Sequence, residues 1–310
     1  MSSITETLAN LSWQAVLVIV VVLVAIRLVL ARLEGRWAAS VGEIAESLAI
    51  AMGLVFFVVR PFFVQAFFIP SPSMVPTLLI HDHLLVNKTV YRLRDPRPGD
   101  VVVFKAPEWA LELRSTYENG GGQTDYIKRC IGAPGDEIYV RGGYIVVGGE
   151  IFTKPQLRYY YDASQLKIEP DGLYIDGERV SETDIAQKLG RSGRITYHPG
   201  RVFRNGKPLN EPYIYEDPDY NYPVLQPDPQ DRGSAFSVMN LERSEKAGKL
   251  KIIKDNGPLR IKLMPGQFFM MGDNRNQSSD SRYWGPLDRR NVVGRALIMF
   301  WPLNRLGLVR

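Results

Sequence analysis

The sequence predicts a mainly β protein: a membrane-anchored, twisted antiparallel sheet or partly closed barrel carrying a β-hairpin insertion, preceded by two transmembrane helices. Three observations predict it. Two long apolar stretches lie before residue 70. Beyond that point the chain breaks into short runs rich in Val, Ile, Tyr and Phe, punctuated by Gly, Pro and Asp. Three of these runs end in tight two-residue turn signatures.

The first stretch, Leu11 to Ala31, reads LSWQAVLVIVVVLVAIRLVLA, about the length a helix needs to cross the hydrocarbon core, with Arg27 placed to snorkel near one end. A cleaved leader is the rival, but the preceding residues carry Glu6 and no Lys or Arg, and no small-residue cleavage site follows. The second stretch runs from Leu48 to Ile69 and is interrupted by Arg60-Pro61, so a span ending near Arg60 continues as an interfacial or core segment. Residues 1–66 are therefore read as the anchor, with spans at about 11–31 and 48–66. Arg27, Arg32 and Arg36 cluster in the connection, which places that loop in the cytoplasm and everything after Ile69 outside.

Composition narrows the partners. Hydrophobic residues make up 45% of the 310, and their concentration before residue 70 means that a mean hydropathy of −0.12 averages a greasy start with a polar remainder. The net charge of +5 would suit nucleic acid or an anionic membrane, but Lys and Arg are interspersed with Asp and Glu, which favours the membrane and argues against nucleic acid. The single cysteine, Cys130, excludes an internal disulfide and any multi-cysteine zinc site, and a buried apolar role is its default.

In the polar part, HLLVNKTVY, GDVVVFKAP, DYIKRCIGAPGDEIYV, GQFFMMGD and NVVGRALIMFW read as strands. Helical periodicity competes only near Glu182 to Leu189. The tetrads Val147-Gly-Gly-Glu150, Ile175-Asp-Gly-Glu178 and Arg204-Asn-Gly-Lys207 each predict a hairpin. Residues 143–265 thus form a hairpin and loop insertion between the catalytic segments 67–142 and 266–310. Tyr213 to Arg243, rich in Pro, Asp and Tyr, predicts a long irregular loop, and Glu108 to Gln123 another.

Few side chains are equipped for chemistry. The three His lack a partner pattern for a Ser-His-Asp triad, and His81 and His83, which bracket Asp82, lack a third metal ligand and read as a surface cluster at a strand entry. Serine with lysine remains. Ser71 and Ser73 stand between prolines that stiffen the chain and hold it extended as it leaves the membrane. Lys128 falls in an otherwise apolar strand, either as an edge-strand guard against aggregation or as a buried amine with a chemical task.

PSPSMVPTL (70–78), DYIKRCIGAPGDEI (125–138) and Gly272-Asp-Asn-Arg-Asn-Gln-Ser-Ser-Asp-Ser-Arg282 together resemble the three signature boxes of bacterial type I signal peptidases, in that family's order. GDVVVFKAP, the leading spans and NGKPLNEPYI (205–214) match as well, so the resemblance covers most of the chain. It implies a Ser/Lys serine endopeptidase of the bacterial inner membrane, multi-pass, with its catalytic domain on the periplasmic face. The implied partners are signal peptides of secretory preproteins, membrane lipid and, as a further candidate, the export machinery. No cofactor or metal is needed.

Carried over by position, the nucleophile falls on Ser73, the general base on Lys128, the oxyanion-hole hydroxyl on Ser71 with the Ser73 amide, and the serine orienting the amine on Ser278. Asp280 and Arg282 match an ion pair shaping the site, and Asp273 and Arg275 match supporting positions. The resemblance further implies that Phe67, Ile69, Pro70, Met74, Leu78, Tyr126 and Ile127 line shallow pockets for small residues of an Ala-x-Ala type. Two departures stand out: Pro72 replaces the glycine between the serines, which removes that amide from any oxyanion role, and His81 and His83 replace less polar residues. The chemistry requires Lys128 to be neutral. An ordinary lysine titrates at about 10.4, so the protein must lower it by about three pH units, roughly 4 kcal/mol of desolvation, with Ile127, Cys130, Ile131 and the aromatic run 62–68 as the expected surroundings.

Overall fold

The computed structural model describes residues 13–33, 35–59, 63–107, 110, 125–227 and 234–310. Most of the loop expected at 108–123 lies outside the described residues, as do Arg60, Pro61 and Phe62. Two helices lead the chain, α1 (Trp13–Leu30) and α2 (Arg36–Leu54), and α2 runs on into a π-helical turn, Val55–Val59. By length and composition one helix, Arg36–Val59, can cross a membrane; the described apolar helix Gln14–Leu30 is shorter. Arg27 reaches Glu46 on α2 at 2.9 Å, tying the two helices together.

The second helix departs from the expected span of 48–66. It starts at Arg36, and residues 64–66 are already strand. The reason lies in the composition of 36–47: Ala38, Gly42 and Ala45 are small and buried, which makes that polar-looking segment a helix-packing face.

Strand formation begins with β1 (Val64–Phe68), β2 (His83–Asn87), β3 (Val101–Lys105) and β4 (Asp125–Gly132). The insertion supplies β5 (Glu137–Arg141), β6 (Tyr144–Val147), β7 (Glu150–Thr153), β8 (Leu166–Glu169), β9 (Gly172–Ile175) and β10 (Glu178–Arg179). It continues with β11 (Ile195–His198), β12 (Arg201–Arg204), β13 (Lys207–Pro208), β14 (Leu250–Ile253) and β15 (Arg260–Leu263). The chain closes on β16 (Gln267–Met271), β17 (Leu287–Asp288), β18 (Val292–Trp301) and β19 (Gly307–Leu308).

A curled antiparallel sheet of order β1-β2-β18-β3-β4-β16-β17, with β19 added to β18, carries the polar domain. The run of four apolar residues in β3 follows from burial on both faces. Val101 and Val103 pack with Ile69, Met74, Leu78, Leu84 and Val86 on one side, while Val102 and Phe104 pack with Cys130, Phe268, Met270 and Trp284 on the other. Register shifts bend β18 along its length. Gly294 stands where a Cβ would meet the Asn87 carbonyl oxygen at 2.6 Å, so the curl needs glycine there.

All three predicted hairpins form: Val147 pairs with Glu150, Ile175 with Glu178 and Arg204 with Lys207. Their turn residues, among them Asp176 and Asn205, take the left-handed conformation such turns require. The expected helix at Glu182–Leu189 is present, capped by Ser181. A second sheet, β13-β12-β5-β15-β14, includes β5, so the change of sheet falls in the turn 133–136, ahead of the boundary expected at 142. Lys154, fully buried, anchors the insertion by reaching Asp217 at 2.8 Å and Asp219 at 3.1 Å.

One stretch expected to be loop is helical. Ser234–Lys246 forms a helix that begins inside the region read as irregular, 213 to 243, and runs three residues past its end. Its polar residues explain both its stability and its disguise. Ser237 donates to the Arg282 carbonyl at 2.6 Å and Asn240 to that of Tyr283 at 2.7 Å, while Leu241 enters the insertion core.

Candidate active site

Strand β4 and the turn after β1 are brought together by the curled sheet, and the loop following β16 closes over both. Ser71 is extended, and Pro72–Met74 makes a single 3₁₀ turn that lifts Ser73 toward β4. Asn274 fixes this turn: its amide donates to the Ser73 carbonyl at 3.2 Å and its side chain to the Pro72 carbonyl at 3.3 Å. Gly272 is required beneath it, because a Cβ there would collide with Ser278 Oγ and the Ser73 carbonyl oxygen.

Into this turn reaches Lys128. Its Nζ donates to Ser73 Oγ at 2.8 Å and to the Ile127 carbonyl at 2.9 Å, and lies 5.5 Å from the centre of the Tyr126 ring. Lys128 is 5% exposed and Ser73 7%. Burial lowers the amine from the usual 10.5 to about 8, against the opposing pull of Asp280 and Asp273. Ser71 Oγ donates to Ser73 Oγ at 3.3 Å.

The opposing carboxylates are themselves committed. Asp280 accepts two bonds from Arg282, at 2.9 and 2.8 Å, and one from the Gly272 amide at 3.1 Å. Burial pushes its carboxyl up, but Arg282 and these donors outweigh it and hold Asp280 below the ordinary range. Asp273 accepts from Arg129 at 2.8 and 2.7 Å and from Thr77 at 2.5 Å. Arg275 is bound by Glu211 at 2.9 and 2.7 Å and donates to the Gly272 carbonyl at 2.9 Å. Three bidentate guanidinium–carboxylate pairs thus hold the loop after β16, and the arginines on Asp280 and Asp273 offset part of the pull these two acids exert on the amine.

The amino-acid sequence matches a known family. A model of the signal peptidase, peptidase S26 family covers residues 41–169 and 190–301. The chain belongs to that family. It is 30% identical over 264 residues to a signal peptidase I of Leptolyngbya laminosa, covering 85% of this chain and 79% of the relative. A probable signal peptidase I-2 of Synechocystis sp. is 29% identical, covering 89% of this chain and 78% of its own. For the signal peptidase I of Aquifex aeolicus the figures are 28%, 84% and 83%. A solved signal peptidase I from Enterococcus faecalis V583 aligns with 65% of this chain and 97% of its own at 19% identity and a TM-score of 0.22.

As an S26 peptidase, the chain brings Ser71, Ser73, Lys128 and Ser278 into one place, with Asp273, Arg275, Asp280 and Arg282 around them. Ser278 Oγ is buried without a hydrogen-bond partner among the described residues, so it makes no bond to the amine here. The residues expected to line pockets divide. Phe67, Ile69, Met74, Leu78 and Ile127 share one apolar cluster, but Met74 and Leu78 are fully buried and form its floor. Tyr126 faces the neighbouring cluster, with its ring 6.2 Å from that of Phe104, and Pro70 is exposed. Strand alternation separates Tyr126 from Ile127.

The surroundings expected for Lys128 are also redistributed. Of the described residues in the aromatic run 62–68, Phe67 joins the site cluster, whereas Phe63 and Phe68 are exposed and Phe62 lies outside the described residues. Ile131 packs into the insertion core. His81 and His83 instead flank Phe68, with ring centres 5.6 and 5.4 Å away.

Sequence reasoning missed Arg129, Thr77, Asn274 and Glu211. Arg129 had a visible signal, since a second cation beside Lys128 in an apolar strand needs an acid partner once buried.

The buried amine bears on stability. In the folded chain Lys128 titrates near 8 and in the unfolded chain near 10.5, so below pH 8 its burial costs the fold on the order of 3 kcal/mol. That cost fades as pH rises from 8 to 10.5. Lys128→Met is expected to be more stable than the parent in denaturant titrations at pH 7, with the gain shrinking at pH 10; a gain independent of pH would contradict the burial of a neutral amine.

Proposed function

We propose that this chain is a membrane-anchored serine endopeptidase that removes N-terminal signal peptides from exported proteins, with Ser73 as nucleophile and neutral Lys128 as general base. The 2.8 Å contact between a buried, weakened amine and the Ser73 hydroxyl carries this reading. Relatives named signal peptidase I supply the substrate class.

The chemistry follows from the geometry. Neutral Lys128 takes the Ser73 proton as Oγ attacks the scissile carbonyl carbon, giving a tetrahedral oxyanion and an ammonium. The Ser73 amide and the Ser71 hydroxyl, once turned from Ser73 Oγ, stabilise that oxyanion; Pro72 contributes no donor. The ammonium then protonates the departing amine, which leaves as the new N-terminus of the mature protein and yields a Ser73 acyl-enzyme. Water attacks the ester with Lys128 again as base, releasing the signal peptide and restoring the hydroxyl. In the described geometry the Ile127 carbonyl and Ser73 Oγ hold the amine, and Ser278, whose hydroxyl has no partner there, must turn toward Lys128 to orient it during these transfers. The outer edge of β1, the terminal strand of the sheet, accepts the substrate as an added strand, its small side chains meeting Phe67 and Ile127, the partly buried members of the cluster whose interior is Ile69, Met74 and Leu78.

Helix Arg36–Val59 crosses the inner membrane and delivers β1 at its outer face, with α1 as a second span. The lipid bilayer is thus a partner, and the export machinery is the neighbour that presents precursors.

Ser73→Ala and Lys128→Ala are expected to abolish precursor cleavage, by at least about a thousandfold, while circular dichroism stays unchanged; normal processing by either variant sinks the dyad. Protonation of Lys128 removes the base, so kcat/KM is expected to fall tenfold per pH unit below about 8 and to level above it. Protease added to intact spheroplasts should digest the region after residue 70; its protection would reverse the topology.

A further inference from the structure

The outer face of the five-stranded sheet is positive, and its charges oppose one another. Ile138, Val140 and Val202 point into the core, so by alternation Tyr139, Arg141, Arg201 and Phe203 share the opposite face. β14 and β15 add Lys251 and Lys262 to it. The register sets Arg201 directly across from Arg141 and Lys251 directly across from Lys262. Like charges placed so weaken a sheet. Lys262 has Glu137 at 3.9 Å, but Arg141, Arg201 and Lys251 have no ion-pair partner among the described residues. Between the two cation pairs Tyr139 and Phe203 stack at 4.5 Å and 4°, with Tyr139 buried and the Arg141 guanidinium 6.0 Å from its ring, while Glu137, the one acid of β5 on this face, is taken up by Arg260 at 2.7 Å.

Two repulsive pairs around an aromatic platform favour a ligand that supplies negative charge. Its place in the fold says which. The sheet joins the catalytic sheet through β4–β5 and β15–β16, which lie toward the other end of the strand order from β1, the strand that follows the anchor, and its cation pairs stand on the strands that continue directly from the Lys128 strand. Lys128 and Arg141 lie on consecutive strands, and at about 3.3 Å per residue the intervening chain spans at most about 45 Å. An extended polypeptide leaving the site covers that distance in little more than a dozen residues.

We propose that this face holds acidic residues of the substrate beyond the cut, and so favours precursors whose mature portion begins with a segment rich in Asp and Glu. The proposal rests on the signal-peptidase reading. Its test uses two precursors identical through the cleavage site, one with Asp and Glu in the first dozen or so mature residues and one with Ser and Gly there, and the full chain in detergent at low salt.

The wild type is expected to cleave the acidic precursor with about fivefold higher kcat/KM, the scale of a few exposed ion pairs. The preference should vanish in Arg141→Gln/Arg201→Gln and at about 0.5 M salt. The double variant should cleave the neutral precursor at the wild-type rate and melt no lower than the parent, since relieving repulsion does not destabilise. No preference in the wild type, or a preference that survives the double substitution, overturns the proposal. Equal peptide ratios combined with lost binding to phosphatidylglycerol vesicles overturn it in favour of lipid. Failure to cleave even the neutral precursor overturns the underlying reading and this proposal with it.

Discussion

A primary amine held out of water 2.8 Å from a serine hydroxyl constrains everything around it. In the proposed reaction Lys128 must be neutral to act as a base, and the burial that lowers it to about 8 opposes folding at physiological pH. Two carboxylates near enough to restore its charge are each bound in a fork by an arginine, Asp273 by Arg129 and Asp280 by Arg282. The arginines therefore let acidic residues shape the site while burial still holds the amine near 8, below its usual value. Gly272 and Asn274 serve the same end from the other side, by allowing and fixing the turn that brings Ser73 within reach.

The scaffold explains how such a group is tolerated. β3, buried on both faces, and β16, buried throughout, pair with β4 on either side, so Lys128 enters from a strand that cannot move toward solvent. The insertion has its own charged anchor in Lys154, which engages Asp217 and Asp219 with no exposure. Burial pushes the Asp217 carboxyl up despite that lysine, a sign of how dry the junction is.

What the sequence disclosed was mainly local. Asn205-Gly206 and Asp176-Gly177 announce hairpins because few other residues adopt their backbone angles, and the VVVF run of β3 announces burial on both faces. A helix at 154–161 was equally local and was overlooked: Thr153 and Gln156 form a capping box with a proline in the first turn. The helix at 234–246 was hidden for a different reason, since Ser237 and Asn240 look like loop residues until their carbonyl partners 43 to 45 residues away are known. Arg275–Glu211 and Arg129–Asp273 join residues 64 and 144 positions apart, and spacing carries no trace of either. The division of Tyr126 from Ile127 was legible in strand alternation alone.

The charge of the Lys128 nitrogen is open to direct observation. Selective isotope labelling of lysine, with Lys128 assigned by its absence in Lys128→Met, allows its side-chain resonance to be followed by NMR from pH 6 to 11. A titration midpoint near 8, well separated from the bulk lysines, is the predicted result. A midpoint near 10.5, merged with the exposed lysines, would mean that the amine beside Ser73 is an ordinary ammonium at neutral pH and that the base must be sought elsewhere.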